Sequence, residues 1–167
     1  MTPMAPPRPI PASPTVPASP RVCRVRLAAG LAAAKAARAV IKTTIHAWRV
    51  PVDQDVAVLL TSELVTNAVT HGAGEAGEAA DAGGFVTLAI ACSATRLRVD
   101  VHDCSCDPPL LEDAAAEAET GRGLLLVTTL SAEWGYYRTA TGKAVYFILE
   151  FLPDVQETVR DVPFGSV

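Results

Sequence analysis

A chain of 167 residues, half of them hydrophobic, has room for one domain with a core of its own. A net charge of −4 and a pI near 5.3 supply no basic field, which argues against nucleic acid as the main partner. Lys35, Arg38 and Lys42 interrupt the most apolar stretch before it reaches the roughly 18–20 residues of a membrane helix. The N-terminus also lacks the charged-then-apolar order of a signal peptide, so the expectation is a cytoplasmic protein with no membrane partner.

Residues 1–20 carry a proline at nearly every second or third position and almost no large apolar side chains. They read as a disordered or polyproline-II tail outside the fold. Val22 to Leu27 alternates like a short strand. The Ala-rich stretch from Ala28 to about Trp48, with Leu31, Lys35, Arg38, Ile41 and Ile45 at helical spacing, predicts a first long helix. A second helix runs from about Asp53, its N-cap, to His71, with Gly72 as the stop signal. Residues 72–84 are small, acidic and glycine-rich, as in a surface loop.

Two strands follow, Phe85 to Ala91 and Leu97 to Asp103, joined near Ser93-Ala94-Thr95. Asp107-Pro108-Pro109 forces an irregular segment, and residues 112–119 read as a mobile flap or a short helix. Thr120-Gly121-Arg122-Gly123 opens a third helix to about Leu130. Glu133 to Thr139 and Lys143 to Phe151 make a closing hairpin around Ala140-Thr141-Gly142, and the tail from Pro153 has no periodicity. Helices alternate poorly with strands, so a doubly wound sheet is disfavoured. The expectation is an α+β two-layer sandwich over residues 21–152, with helices on one face of a mixed sheet.

Four cysteines, Cys23, Cys92, Cys104 and Cys106, match no zinc spacing. His102, Cys104 and Cys106 are the one group with metal-ligand chemistry, and reduced thiols are the default against it.

The second helix holds the anomaly of the sequence. At about 100° per residue, Val56, Leu60, Glu63, Leu64 and Asn67 crowd one side, and Val58, Val65 and Val69 make a second apolar side. Asp55, Ser62, Thr66 and Thr70 form the water-facing stripe. A carboxylate and an amide therefore stand one turn apart in apolar surroundings, with no cation beside them in sequence. Burying a charge there is costly unless something binds it. The bland explanation is a distant arginine and a backbone partner, since such pairs are common on helices. The sharper one is a site, with a carboxylate tuned as a general base and an amide oxygen suited to Mg²⁺.

Two further segments share that chemistry. Asp103 ends a strand where a carboxylate can point into a crevice. Gly121-Arg122-Gly123 begins a helix whose N-terminus favours phosphate, and its glycines let backbone N–H groups approach closely. The chain has no G-x-x-x-x-G-K-[ST] P-loop.

In this order the segments resemble the GHKL (Bergerat-fold) ATPases, and most closely the single-domain anti-sigma-factor serine/threonine kinases of actinobacteria. Ser62-Glu63-Leu64-Val65-Thr66-Asn67-Ala68-Val69-Thr70-His71-Gly72 resembles the N box. Val101-His102-Asp103 with Pro108 resembles the first glycine box, and Gly121-Arg122-Gly123-Leu124 the second. Trp134-Gly135 and Gly142-Lys143-Ala144-Val145-Tyr146-Phe147 are similar to the closing strands. The resemblance covers roughly residues 25–152.

It implies a histidine-kinase-like ATPase fold with ATP and Mg²⁺ as ligands. Asn67 would hold the metal, Glu63 would activate the hydroxyl that attacks the γ-phosphate, and Asp103 would accept a hydrogen bond from the adenine amino group. Gly121, Gly123 and Leu124 would line the phosphates beneath a flap of residues 105–120. Arg122 either touches phosphate or faces solvent, and His71 lines the cleft or caps its helix. A sigma factor and an anti-sigma-factor antagonist are the implied partners, with a homodimer as the family's habit. The alternatives are a non-catalytic interaction module on the same fold and a bare structural domain; a histidine kinase is disfavoured because the chain shows no dimerisation domain bearing a phospho-accepting histidine.

Two positions depart from the pattern: Ser105 where a glycine is usual, and Ala144 where a threonine helps hold adenine through water. Losing one such contact would cost about 1–2 kcal/mol, near tenfold in affinity.

Overall fold

A computed structural model describes residues 20–72, 84–109 and 122–153. The tail before Pro20, the glycine-rich loop, the flap with Gly121, and the chain beyond Pro153 lie outside the described residues.

The elements run β1 (Arg21–Ala28), α1 (Ala33–Trp48), α2 (Gln54–Gly72), β2 (Phe85–Cys92), β3 (Arg96–Asp103), α3 (Arg122–Leu130), β4 (Glu133–Thr139) and β5 (Gly142–Glu150). The five strands form one sheet in the order β1-β2-β3-β5-β4. The helices cover one face of it, giving the expected α+β sandwich.

The sheet is antiparallel at every pairing rather than mixed. The reason lies in the last hairpin. A helix between β3 and β4 suggests a parallel crossover, but β5 folds back from β4 and takes the place beside β3. Strands that run the same way are thereby kept from being neighbours.

Period-two alternation divides the sheet. Val86, Leu88, Ile90 and Cys92 of β2, Leu97, Val99 and Val101 of β3, and Val145, Phe147 and Leu149 of β5 face the helices and make the core. Residues of the other parity make the open face.

α1 begins five residues later than its alanine content suggests. β1 extends through Ala28, the Ala33 N–H bonds Gly30 O at 3.0 Å, and Leu31 is fully exposed ahead of the helix. The buried stripe is Ala33, Ala37, Ile41 and Ile45, whose small members let α1 lie close on α2. Arg49 ends α1 with a left-handed backbone (φ 52°).

α2 starts as expected. Asp53 Oδ1 accepts from the N–H groups of Asp55 (2.9 Å) and Val56 (3.1 Å), an N-cap worth about 1 kcal/mol. Leu60, Leu64, Val65 and Ala68 are buried, while Asp55, Thr66 and Thr70 face water.

Among the described residues no helix is long and apolar enough to cross a membrane. None of their His, Cys, Asp and Glu side chains gather as a metal-binding group, so His102, Cys104 and Cys106 do not form a ligand set. His102 points to the open face, edge-on to Tyr137.

Candidate nucleotide site

The ends of the helices locate the site. Val56 at the start of α2 and Leu130 at the end of α3 line one cavity with Leu149, Glu150 and Phe151. The end of α2 and the start of α3 therefore lie at the opposite end of the sheet, where Asp103 and Lys143 are paired. Glu63, Asn67, Gly123 and Asp103 belong to that half of the molecule.

α3 meets α2 through Gly123. A methyl group placed on Gly123 would stand 2.6 Å from Glu63 Oε2 and 3.4 Å from the Asn67 amide. The absent side chain is what lets the first turn of α3 reach those two groups. Both are half-buried, and neither has a hydrogen bond or an ion pair among the described residues. Arg38 on α1 donates to Ser62 Oγ, the neighbour of Glu63 in the chain (2.9 Å). The distant-arginine explanation for Glu63 therefore fails among the described residues. Among the described residues the Glu63 carboxylate is thus left with open acceptor capacity, its Oε2 facing the first turn of α3 beside the Asn67 amide nitrogen.

Asp103 is held in the opposite manner. It is 7% exposed, and its Oδ1 accepts from the Ser105 backbone N–H at 2.8 Å and from Lys143 Nζ at 3.2 Å. Lys143 is itself 5% exposed and stands directly across the β3–β5 ladder. Next to it, a methyl group on Gly142 would collide with the Asp103 carbonyl oxygen and stand 2.6 Å from the Cys104 Cα. Glycine is needed there for the backbones to approach.

Ser105 departs from glycine without penalty. Arg49 is the one non-glycine residue with positive φ among those described, so position 105 does not require glycine's conformational freedom. The serine turns inward, and its Oγ accepts from the Asp107 N–H (3.2 Å), bracing the loop after β3.

Ala144 needs a correction. It is fully buried, but it alternates with Lys143 and lies on the open face between His102 and Tyr137. No side chain at position 144 points to the Asp103 side of the sheet. The β5 residue that does is Lys143, to which the sequence alone assigns no role. The signal that finds it is the hairpin register, which sets Lys143 rather than Ala144 on the parity of Val145-x-Phe147-x-Leu149.

The remaining expected positions divide. Leu124 is 5% exposed and its side chain belongs to the core. Arg122 opens α3, with its side chain outside what the structure describes. Gly121 lies outside the described residues. His71 is exposed in the last turn of α2.

The open face carries a polar network of its own. Arg98 grips Asp100 through two hydrogen bonds (2.9 and 2.7 Å), and Tyr137 OH donates to the same carboxylate (3.2 Å). Arg98 also stacks 3.9 Å over the Tyr146 ring. Burial lowers the His102 pKa below its usual range, opposed in part by Asp100. Burial also raises the Tyr137 hydroxyl, with Asp100 adding to the effect.

An antiparallel sheet under three helices, with a Glu and an Asn on the middle helix facing a glycine at the start of the last one, defines an ATPase-type α+β domain. The family model described as histidine kinase-like ATPase domain matches residues 27–149. The chain belongs to that family, which implies ATP binding, usually with Mg²⁺. No curated protein matches the chain.

Proposed function

We propose that the chain is an ATP-dependent serine/threonine protein kinase of the anti-sigma-factor type, which phosphorylates an antagonist protein and sequesters a sigma factor. The observation that supports it best is the convergence on Gly123 of Glu63 and Asn67, neither of which has a hydrogen bond or ion pair among the described residues.

The donor set fits the ligands. Asn67 supplies a neutral hard oxygen of the kind Mg²⁺ accepts beside phosphate oxygens. Gly123 gives a phosphate close access to backbone N–H groups at the start of α3. Bound Mg²⁺ would neutralise charge on the transferring phosphoryl group. Glu63 takes the proton of the substrate hydroxyl as its oxygen bonds to the γ-phosphorus and the bond to the β-phosphate oxygen breaks, releasing ADP. Asp103 accepts from the adenine amino group.

The kinase activity is tested by incubating the chain with γ-labelled ATP, Mg²⁺ and antagonist proteins. Label on a serine or threonine with the native chain, and none with Glu63→Gln, is the expected result. ATP binding without transfer to any partner would select the second reading, a non-catalytic interaction module. Homodimerisation belongs to the same proposal and is read by sedimentation.

A further inference from the structure

Resting on the nucleotide reading above, we infer that Lys143 is the positioning residue that holds Asp103 as a fixed, acceptor-only group and thereby sets a preference for 6-aminopurine over 6-oxopurine nucleotides.

The pair is built in by the fold. Register places Lys143 directly opposite Asp103, and both side chains turn toward the helical layer. They meet at 3.2 Å with side chains 6% and 3% exposed. Two donors from different elements, the Lys143 ammonium and the Ser105 N–H, converge on the same oxygen, Oδ1. The close approach at Gly142 fixes the backbone around them. An arrangement so enclosed leaves the carboxylate little freedom to turn.

The chemistry follows from what a paired carboxylate can do. An ionised carboxylate accepts hydrogen bonds and donates none. It welcomes the exocyclic amine of adenine and opposes the carbonyl oxygen that hypoxanthine or guanine carries at that place. A site built to bond one group rejects an analogue lacking it, because buried polar atoms are left unpaired. Without the ammonium, the carboxylate would lose one of its two fixed donors and be free to swing toward solvent. Asp103 would then no longer discriminate against an acceptor. Lys143 acts through Asp103 and need not touch the base.

The test compares ATP with inosine triphosphate, which differs at the 6-position of the base. Affinities are measured by calorimetry on the full chain and on Lys143→Met, Lys143→Arg, Asp103→Asn and the double variant Asp103→Asn/Lys143→Met. The native chain should favour ATP by about tenfold or more. Lys143→Met should bring that ratio to within about threefold of unity, and Lys143→Arg should restore most of it. In the Asp103→Asn background, adding Lys143→Met should change the ratio less than about twofold, since the partner it acts through is gone. The double variant leaves no unpaired charge, so it answers the question even if Lys143→Met does not fold. Additive losses, or a Lys143→Met chain that is less stable but keeps the native ratio, would overturn the inference alone. A native chain that binds neither nucleotide would overturn the nucleotide reading and this inference with it.

Discussion

Two carboxylates at one end of the molecule are held in opposite ways. Glu63 is half-buried on α2 with no ion pair among the described residues, while Asp103 is enclosed at the end of β3 and gripped by Lys143 and the Ser105 N–H. An unpartnered carboxylate keeps its capacity to receive a proton, which general-base chemistry requires. A carboxylate locked by two donors is suited to recognition, because its position and charge are settled before the ligand arrives. Under the proposed function, the difference would separate reaction from selection.

The largest expected effect comes from breaking the reactive half. Glu63→Gln keeps the shape and removes the base, so phosphoryl transfer should fall by about 10²–10⁴-fold with ATP affinity nearly unchanged. Equal losses in binding and transfer would show Glu63 to be a structural residue. Gly123→Ala tests the same half by sterics. Its methyl group would displace the flexible end of Glu63 rather than backbone, so transfer should drop at least tenfold while Tm changes by only a few degrees.

Breaking the locked half should be seen mainly in stability. Gly142→Ala forces the Asp103 and Cys104 backbone aside, with an expected cost of about 2–3 kcal/mol by urea unfolding. If the cost is below about 0.5 kcal/mol, Asp103 is less firmly held than described.

The smallest effect belongs to the open face. His102 has a lowered pKa when folded, so the unfolded chain binds its proton first as pH falls. The stability linked to neutral His102 is present above its usual value of 6.5 and is lost as pH drops below it. His102→Gln should flatten the Tm profile between about pH 7 and 5 by a few degrees at most, leaving nucleotide binding unchanged.

The reactive half was legible in the sequence because its parts are local. Glu63 and Asn67 are one turn apart, the Asp53 cap fixes their phase, and an acid among apolar neighbours stands out. Gly123 could be suspected from its place at a helix start. The locked half was legible only at Asp103. Its lysine lies forty positions along the chain, and only strand register brings the two together. The same register moves Ala144 to the other face, where a one-residue shift in a strand reverses every side chain. The antiparallel sheet was hidden for a similar reason, because the insertion of β5 beside β3 depends on tertiary pairing rather than on any local pattern.

The most direct measurement is Mg²⁺-dependent ATP binding by calorimetry on the native chain beside Asn67→Ala and Asp103→Ala. The account predicts saturable binding by the native chain, loss of its Mg²⁺ dependence in Asn67→Ala, and abolition in Asp103→Ala. No binding by the native chain at millimolar ATP would contradict it, leaving an interaction module built on a nucleotide fold.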